Sequence, residues 1–299
     1  NSRSFYRWAR LRKKLGIRFN YEMVLLPREF VHSSGKIFTL TCGKPIPWQS
    51  LEGGRHAADE AAALRQIVYS LPSLIEAELT PERFLRTTNK GGNELYVVTA
   101  HNAPNVMREI GRLREIAFRT AGGGSGKECD IDEFDVMEVP CSQLIVWDPE
   151  SKLILGGYRF ICGKDISFDE VGRPRIATSH MFSFSQRFLS EYLPYTLELG
   201  RSFVRPEYQS SRAGAKAIYA LDNLWDGLGS LTVVYPELKY LFGKVTMYPS
   251  YTAHCRDLIL YFLHKYFPDP DCLVRPIKAL KIKTDPQELE AIFNGGDFK

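Results

Sequence analysis

Apolar residues recur with strand and helix periods in alternating segments from residue 94 onward, and this order constrains the fold most. A period of two predicts strands, and a period of three to four predicts helices. The strands are predicted at 94–99, 143–147, 152–162, 196–204 and 244–248, with a final extended segment, and the helices at 103–120, 183–192, 213–228 and 251–266. Strands and helices mixed in this order indicate a layered α/β or α+β fold.

A smaller unit precedes this region. Residues 3–15 and 56–78 have helical patterns, and residues 36–41 (KIFTLT) alternate like a strand. The stretch 80–93 is polar and contains Gly91 and Gly92, a composition typical of a linker. The sequence therefore predicts one domain over 1–79, a linker over 80–93 and a second domain over 94–299.

The composition and charge exclude several classes of protein. With 44% apolar and 25% charged residues the chain is neither disordered nor a coiled coil. A net charge of +4 is too small to indicate nucleic-acid binding, and no apolar run reaches the roughly 18 residues of a membrane span. We expect a cytoplasmic protein.

Positive charge is concentrated at the front of the chain. Residues 1–18 contain seven Lys and Arg residues and no acid, interleaved with aromatic and leucine side chains. Such a segment could lie on the anionic inner face of a membrane, or pack as a solvated helix on its own domain. Both interpretations remain open.

Motifs for metal and nucleotide chemistry fail on spacing. The six histidines and six cysteines form no set at metal-ligand spacing, so we predict no metal and no bound cofactor. The glycine-rich run 122–127 is not a phosphate loop, because Ala121 and Glu128 replace the glycine and the Ser or Thr that the motif requires. The acidic run 130–135 lacks the glycine and terminal glutamate of a calcium loop.

Five blocks in order, together with 222–225 (DNLW) and 248–251 (YPSY), resemble a known family. They are RLREIAFR (112–119), DIDEFD (130–135), QLIVWD (143–148), LGGYR (155–159) and LELGRSFV (197–204). This pattern over about 94–282 is similar to the GNAT-type N-acyltransferases of ornithine-lipid and glycine-lipid synthesis, often labelled hemolysins, in their Bacteroidetes-like versions. The resemblance implies an α/β GNAT-like fold, a mixed central sheet flanked by helices, in which 196–204 is the central splayed strand.

The resemblance also implies a reaction. A long, 3-hydroxylated acyl chain would pass from a thioester to the amino group of glycine or, second, ornithine. An amine near pKa 8 is only about one-tenth neutral at pH 7, so a base would help. Glu198 is the candidate base and Arg201 its catalytic neighbour; the alternative is that Glu198 only pairs with Arg201 or Arg159.

Further residues match the family pattern at substrate positions. An arginine would grip the carboxylate of the amino acid and aspartates its ammonium, although structural ion pairing would explain the same residue types. The predicted substrate-binding residues are Arg114, Phe118, Asp132, Asp135 and Arg159.

The donor site departs from ordinary members of the fold. In these a glycine-rich turn binds pyrophosphate at a helix N-terminus, whereas residues 209–214 (QSSRAG) place Arg212 at the first glycine position. This favours an acyl carrier protein over coenzyme A as the donor and partner, because its surface is acidic. The predicted donor-binding residues are Arg205, Gln209, Arg212, Gly214 and Lys216.

The N-terminal unit resembles a different family. The segments YRWARLRKKLG (6–16), LPRE (26–29) and CGKPI (42–46) look like the closing third of a lysophosphatidate-type glycerophospholipid acyltransferase domain. The catalytic His-x-x-x-x-Asp of that family is absent from 1–79, so we expect a catalytically silent C-terminal remnant. Two alternatives for the whole chain are a noncatalytic lipid-binding protein at the membrane surface and an enzyme like the acyl-homoserine lactone synthases, which share the GNAT-like fold.

Overall fold

The computed structural model describes residues 3–16, 61–62, 64–65, 74–209, 215–248 and 250–295, and the chain divides into two compact units, Asn1–Leu71 and Pro72–Lys299. In the first unit helix α1 (Arg3–Lys14) confirms the helix predicted over 3–15. The strand predicted at 36–41 and most of the helix predicted at 56–78 lie outside the described residues. No helix in the described part of the chain is long and apolar enough to cross a membrane.

A six-stranded sheet forms the centre of the second unit. Its order is β1-β2-β3-β4-β6-β7, and every neighbouring pair is antiparallel except β6 and β7, which are parallel. A separate pair of strands, β5 and β8, is antiparallel. The bounds are β1 Phe84–Thr87, β2 Glu94–Val98, β3 Ser142–Asp148, β4 Leu153–Cys162, β5 Phe182–Phe184, β6 Thr196–Val204, β7 Tyr240–Gly243 and β8 Val274–Pro276.

Helices cover both faces of the central sheet. Their bounds are α2 Leu74–Glu78, α3 Pro104–Thr120, α4 Glu133–Val136, α5 Ala215–Val234, α6 Ala253–Tyr266 and α7 Pro286–Ile292. Helix α3 packs its apolar stripe, which includes Met107 and Ile110, on one face against Ile145 and Trp147. Helix α5 covers the other face through Leu228 and Leu231. Each such side chain stabilises the fold by about 1.5–3 kcal/mol relative to its exposed state. The predicted α/β architecture is confirmed.

The chain between β4 and β6 folds over the sheet face that α3 also covers. Short 3-10 turns and a π-helical turn (Phe188–Tyr192) place Ile166, Ile176 and Leu193 in a buried cluster with Ile161 of β4. This excursion therefore closes one end of the face with apolar side chains.

Three predicted elements differ in the structure. The segment 80–93, predicted as a linker, contributes β1, which hydrogen-bonds to β2 within the sheet. The last strand of the sheet is β7 rather than 244–248, because Tyr240 to Gly243 pair with β6 whereas Val245 is 93% exposed. The helix predicted over 183–192 is helical only over 186–192, where it ends as the π-helical turn, because residues up to Phe184 belong to β5.

Candidate active site

The parallel strands β6 and β7 separate in the middle of β6. Their pairing runs from Thr196 with Tyr240 to Leu199 with Gly243, where β7 ends, while β6 continues to Val204. Among the described residues no strand continues the pairing along this edge of β6. We call this place, where β6 continues beyond the end of β7, the fork.

A bulge in β6 coincides with the fork. Gly157 pairs with Phe203 and Arg159 with Gly200, so β6 has one residue more than β4 between these pairs. Arg201, in the bulge, has a φ of 49°, in the left-handed region that a side chain rarely adopts. Such a backbone costs of the order of 1–3 kcal/mol and redirects the side chain.

The bulge aims Arg201 at two aspartates. Its Nε lies 3.0 Å from Asp130 Oδ2 and its Nη2 lies 3.1 Å from Asp132 Oδ2. Asp132 Oδ1 in turn accepts a hydrogen bond from Arg159 Nη1 at 2.6 Å. Arg201 thereby links the bulge to the acidic loop that precedes α4.

The same alternation of charges continues into the core. Arg159 Nη1 lies 3.3 Å from Asp135 Oδ2, and Arg114 Nη1 lies 3.2 Å from Asp135 Oδ1. Gln143 donates to Asp135 Oδ1 at 2.9 Å and accepts from Arg114. We call the three arginines and three aspartates the charge network; its members are Arg114, Asp130, Asp132, Asp135, Arg159 and Arg201.

The exposure of the side chains in the charge network increases from a closed, buried end to an open end. Arg114 and Asp135 have no exposed surface, whereas the side chains of Arg201 and Asp132 are 31% and 25% exposed. Burial alone would raise the pKa of Asp135, but Arg114 and Arg159 outweigh it and hold that pKa below its usual value. The open end is therefore the part that a substrate can reach.

The two aspartates also fix the start of α4. Asp132 accepts the backbone N–H of Phe134, and Asp135 accepts the backbone N–H of Asp132, which together form a capping box. The ion pairs and the local turn thus use the same carboxylates.

Glu198 lies on β6 just before the fork and is 3% exposed. It pairs with Ile161 in β4, so it faces the apolar cluster on the side of the sheet that also holds Arg159. Thr178 donates a hydrogen bond to Glu198 Oε1 at 3.3 Å. Burial raises the pKa of Glu198 to about 7, against the opposing effects of Arg159 and Thr178. A carboxylate with such a pKa is suited to proton transfer near neutral pH.

A covalent intermediate has little support at this site. Cys141 is buried in the same apolar cluster, and its burial raises the pKa of the thiol to about 12. Thiolate is the nucleophilic form of cysteine, so this thiol is unreactive at neutral pH. Among the described residues no group of three or more His, Cys, Asp or Glu side chains is placed to hold a metal ion.

The structure brings together most of the residues predicted at the acceptor side, with two differences. Arg114 and Asp135 are fully buried and bound to each other, so they support the site from inside and offer no open surface. Phe118 packs against the hydrophobic core beneath α3 instead of joining the charge network.

The predicted donor residues are only partly described. Arg205 follows β6, with Nε 3.6 Å from Glu207 Oε2, and Gln209 donates to the backbone oxygen of Val204 at 2.6 Å. Arg212 and Gly214 lie outside the described residues. Lys216 is in the first turn of α5.

The sequence alone does not predict Asp130, Gln143 or Thr178 as site residues. Gln143 could be detected from the pattern, since it lies near the start of β3 and the next residues on its face of the strand are the apolar Ile145 and Trp147. Thr178 could not, because it lies in a 3-10 turn (Ala177–His180) of an irregular segment.

Comparisons with known proteins identify the family to which this chain is similar. Residues 113–218 match the model of the acetyltransferase (GNAT) domain, and residues 1–78 match an acyltransferase model. The chain is 62% identical over 226 residues to the glycine N(alpha)-acyltransferase of Phocaeicola vulgatus, which covers 76% of this chain and 69% of that protein. It is also 62% identical over 226 residues to the protein of the same name from Bacteroides thetaiotaomicron, covering 67% of it.

Another relative matches a smaller part of the chain. The chain is 44% identical over 71 residues to the lyso-glycine lipid O-acyltransferase of Phocaeicola vulgatus, covering 24% of this chain and 25% of that protein. The predicted resemblances to GNAT-type N-acyltransferases and, at the N-terminus, to a lipid acyltransferase domain are confirmed. The chain is an N-acyltransferase that belongs to the family of the glycine N(alpha)-acyltransferases.

Proposed function

We propose that this chain transfers a long-chain, 3-hydroxylated fatty acyl group from a thioester to the α-amino group of glycine, in the synthesis of glycine lipid. The names of its relatives favour glycine over ornithine as the acceptor. The observation on which the proposal chiefly rests is Glu198, a buried carboxylate with a pKa of about 7 beside the fork.

The proposed reaction is a direct transfer. Glu198 takes a proton from the ammonium group of glycine, and the free amine nitrogen attacks the thioester carbonyl carbon. A C–N bond forms, the C–S bond breaks and the sulfur leaves as a thiol. The edge of β6 beyond Leu199, along which no described strand pairs, suits an oxyanion, because backbone N–H donors fixed there would stabilise developing charge without reorganising.

The open end of the charge network suits the amino group. Asp132 is the most exposed carboxylate of the charge network, and it lies between Arg159 and Arg201. Asp132 would orient the ammonium group of glycine before Glu198 removes its proton. The positive charge that moves with this proton then enters a site in which the arginines and aspartates of the charge network already balance one another.

The acyl donor is proposed to be acyl carrier protein. Arg205 has a buried Nη1 with no hydrogen-bond partner in the described part of the chain, which favours a phosphate group near the end of β6. The single phosphate of a phosphopantetheine arm would meet this need, and the acidic carrier surface would suit cations that follow in the sequence, such as Arg212.

A position at the membrane surface would suit the lipid substrate and product. Trp8 and Leu11 of α1, and Leu15 just beyond it, share one helical face and are exposed, and Arg10 and Lys14 beside them are exposed too. This combination favours contact with an anionic bilayer surface.

The lipids of cells that express this chain test the proposed activity. Mass spectrometry should detect a new N-acylglycine with the wild type and with Lys281→Met, a control at an exposed position outside the site. Cells that express Glu198→Gln at equal protein level should lack it. Unchanged lipids with the wild type would contradict the proposal and favour lipid binding without catalysis.

A further inference from the structure

An amino-acid acceptor has a carboxylate as well as an amine. The charge network has no unpaired cation that could bind this carboxylate. Each of its arginines has an aspartate oxygen within 3.3 Å. Three guanidinium groups face three carboxylates, so the network is neutral as it stands. The carboxylate of the acceptor therefore needs a cation from elsewhere in the fork.

Lys244 is placed to supply this cation. It follows Gly243, the last β7 residue that pairs with β6, and thus stands where the two strands separate. Two residues earlier, Phe242 packs against Phe188 in the apolar cluster on the face of Glu198. Residues two apart along an extended chain share a face, which directs Lys244 toward the same side.

The electrostatic surroundings of Lys244 agree with this direction. Its pKa is lowered by partial burial and by the positive charges of Arg201 and Arg159, while Glu198 acts in the opposite sense. The charged groups that shift the pKa of Lys244 are therefore Arg201, Arg159 and Glu198, which all belong to the site. Its side chain remains open to solvent, so a small solute can reach it.

Lys244 also has no acidic partner of its own. Within the described residues no carboxylate lies within 4.0 Å of its ammonium group, whereas Lys152, Lys164 and Lys265 each have such a partner. A cation repelled by two guanidinium groups and lacking a counter-ion favours the arrival of an anion.

We infer that Lys244 binds the carboxylate of the amino-acid acceptor at the mouth of the fork, while Glu198 receives the proton from its amino group. This inference rests on the proposed function. It explains how the site selects an amino acid over a plain amine of the same size, since only the amino acid offers groups to both residues.

Glycinamide provides the matched substrate, because it has the size of glycine and an α-amino group but no carboxylate. Its amine is less basic than that of glycine, so each variant is compared with the wild type at one pH, where this difference cancels. We would measure kcat/KM for both amines with purified wild type, Lys244→Met and Lys244→Arg. The control is Lys239→Met, which removes a cation from the opposite end of β7, where the ammonium group lies 4.4 Å from the ring centroid of Tyr195.

The wild type should prefer glycine. Lys244→Met should lose roughly 10- to 100-fold in kcat/KM for glycine, the usual cost of a bond to a charged group, with less than about a 3-fold change for glycinamide and for the KM of the donor. Lys244→Arg should retain much of the preference, and Lys239→Met all of it.

Two other results would contradict the assignment of Lys244 and the proposed function, respectively. If Lys244→Met keeps the wild-type ratio of glycine to glycinamide, the assignment of Lys244 is wrong, although the proposed function stands. If the wild type acylates neither amine, the proposed function fails and the inference fails with it.

Discussion

At the scale of single residues, the proposed chemistry depends on how burial and neighbouring charges are balanced around Glu198. Burial favours the protonated carboxyl, whereas Arg159 and Thr178 favour the carboxylate, and the balance places the pKa at about 7. The family resemblance of LELGRSFV was enough to predict Glu198. Thr178 could not be predicted, because its contact with Glu198 depends on the path of the chain between β4 and β6.

Replacing Glu198 by Gln tests the base. Turnover should fall by roughly 10²-fold or more at pH 7, because the amide cannot accept a proton. For the wild type, the rate should rise with pH through about 7 as Glu198 ionises. The variant should lack this step and be partly rescued at higher pH, because more of the amine is then free without a base.

Thermal unfolding provides the control for that variant. The raised pKa means that ionisation of Glu198 opposes folding, so its destabilising effect grows as the pH rises through about 7. Glu198→Gln should therefore be at least as stable as the wild type at pH 8. Near-normal turnover in a folded variant would show that Glu198 has only a structural role.

Thr178→Val removes the hydroxyl that donates to Glu198 and retains the shape of the side chain. Without this hydrogen bond the carboxylate is less stabilised, so the pKa of Glu198 should rise and the acid limb of the pH–rate profile should move to higher pH. Thr178→Ser should keep the wild-type profile. An unmoved acid limb in Thr178→Val would mean that the hydroxyl does not tune the base.

At the scale of elements, the site depends on a bulge in β6 and on the short helix α4. The sequence predicts β6 with its observed bounds, 196–204, because apolar residues alternate through it. The bulge at Arg201 is not visible in that pattern, since an extra residue is recognised only against the partner strand. The start of α4 was detectable, because Asp132 and Asp135 have the spacing of a capping box.

Asp135→Asn tests the closed end of the charge network. The change leaves the guanidinium groups of Arg114 and Arg159 without a buried counter-charge, so the free energy of unfolding should fall by about 3–5 kcal/mol. The wild-type contribution should disappear as the pH falls through the lowered pKa of Asp135, since protonation removes the same charge.

Urea unfolding at pH 7 measures this loss, with Asp271→Asn as the control. Asp271 pairs with Arg187 at the surface, where both side chains are about half exposed, so its loss should cost less than about 1 kcal/mol. Equal, small effects of the two variants would show that the buried network contributes little to stability.

At the scale of the whole molecule, the sequence predicts the layered fold and every residue of the charge network except Asp130, but it predicts the element boundaries less well. Residues 80–93 are polar and rich in turn formers, and a short edge strand such as β1 gives only a weak pattern. The final helix α7 had a usable signal in Asp285 and Pro286, a cap followed by proline at the first helical position.

The choice of donor is also a property of the whole surface. With acyl carrier protein as donor, Arg212→Glu should slow turnover at low salt, and the loss should shrink at higher ionic strength because the attraction is screened within about 10 Å at 0.1 M salt. The wild type should use acyl-coenzyme A poorly. Equal use of both donors, with rates unaffected by Arg212→Glu, would contradict the carrier-protein proposal.

The most direct measurement follows ¹⁵N-labelled glycine in a reaction of purified chain with an acyl thioester. We expect an N-acylglycine that retains the label, one free thiol released for each acyl group transferred, and little product from Glu198→Gln. Release of thiol without labelled product, or equal product from the wild type and Glu198→Gln, would contradict the proposed reaction.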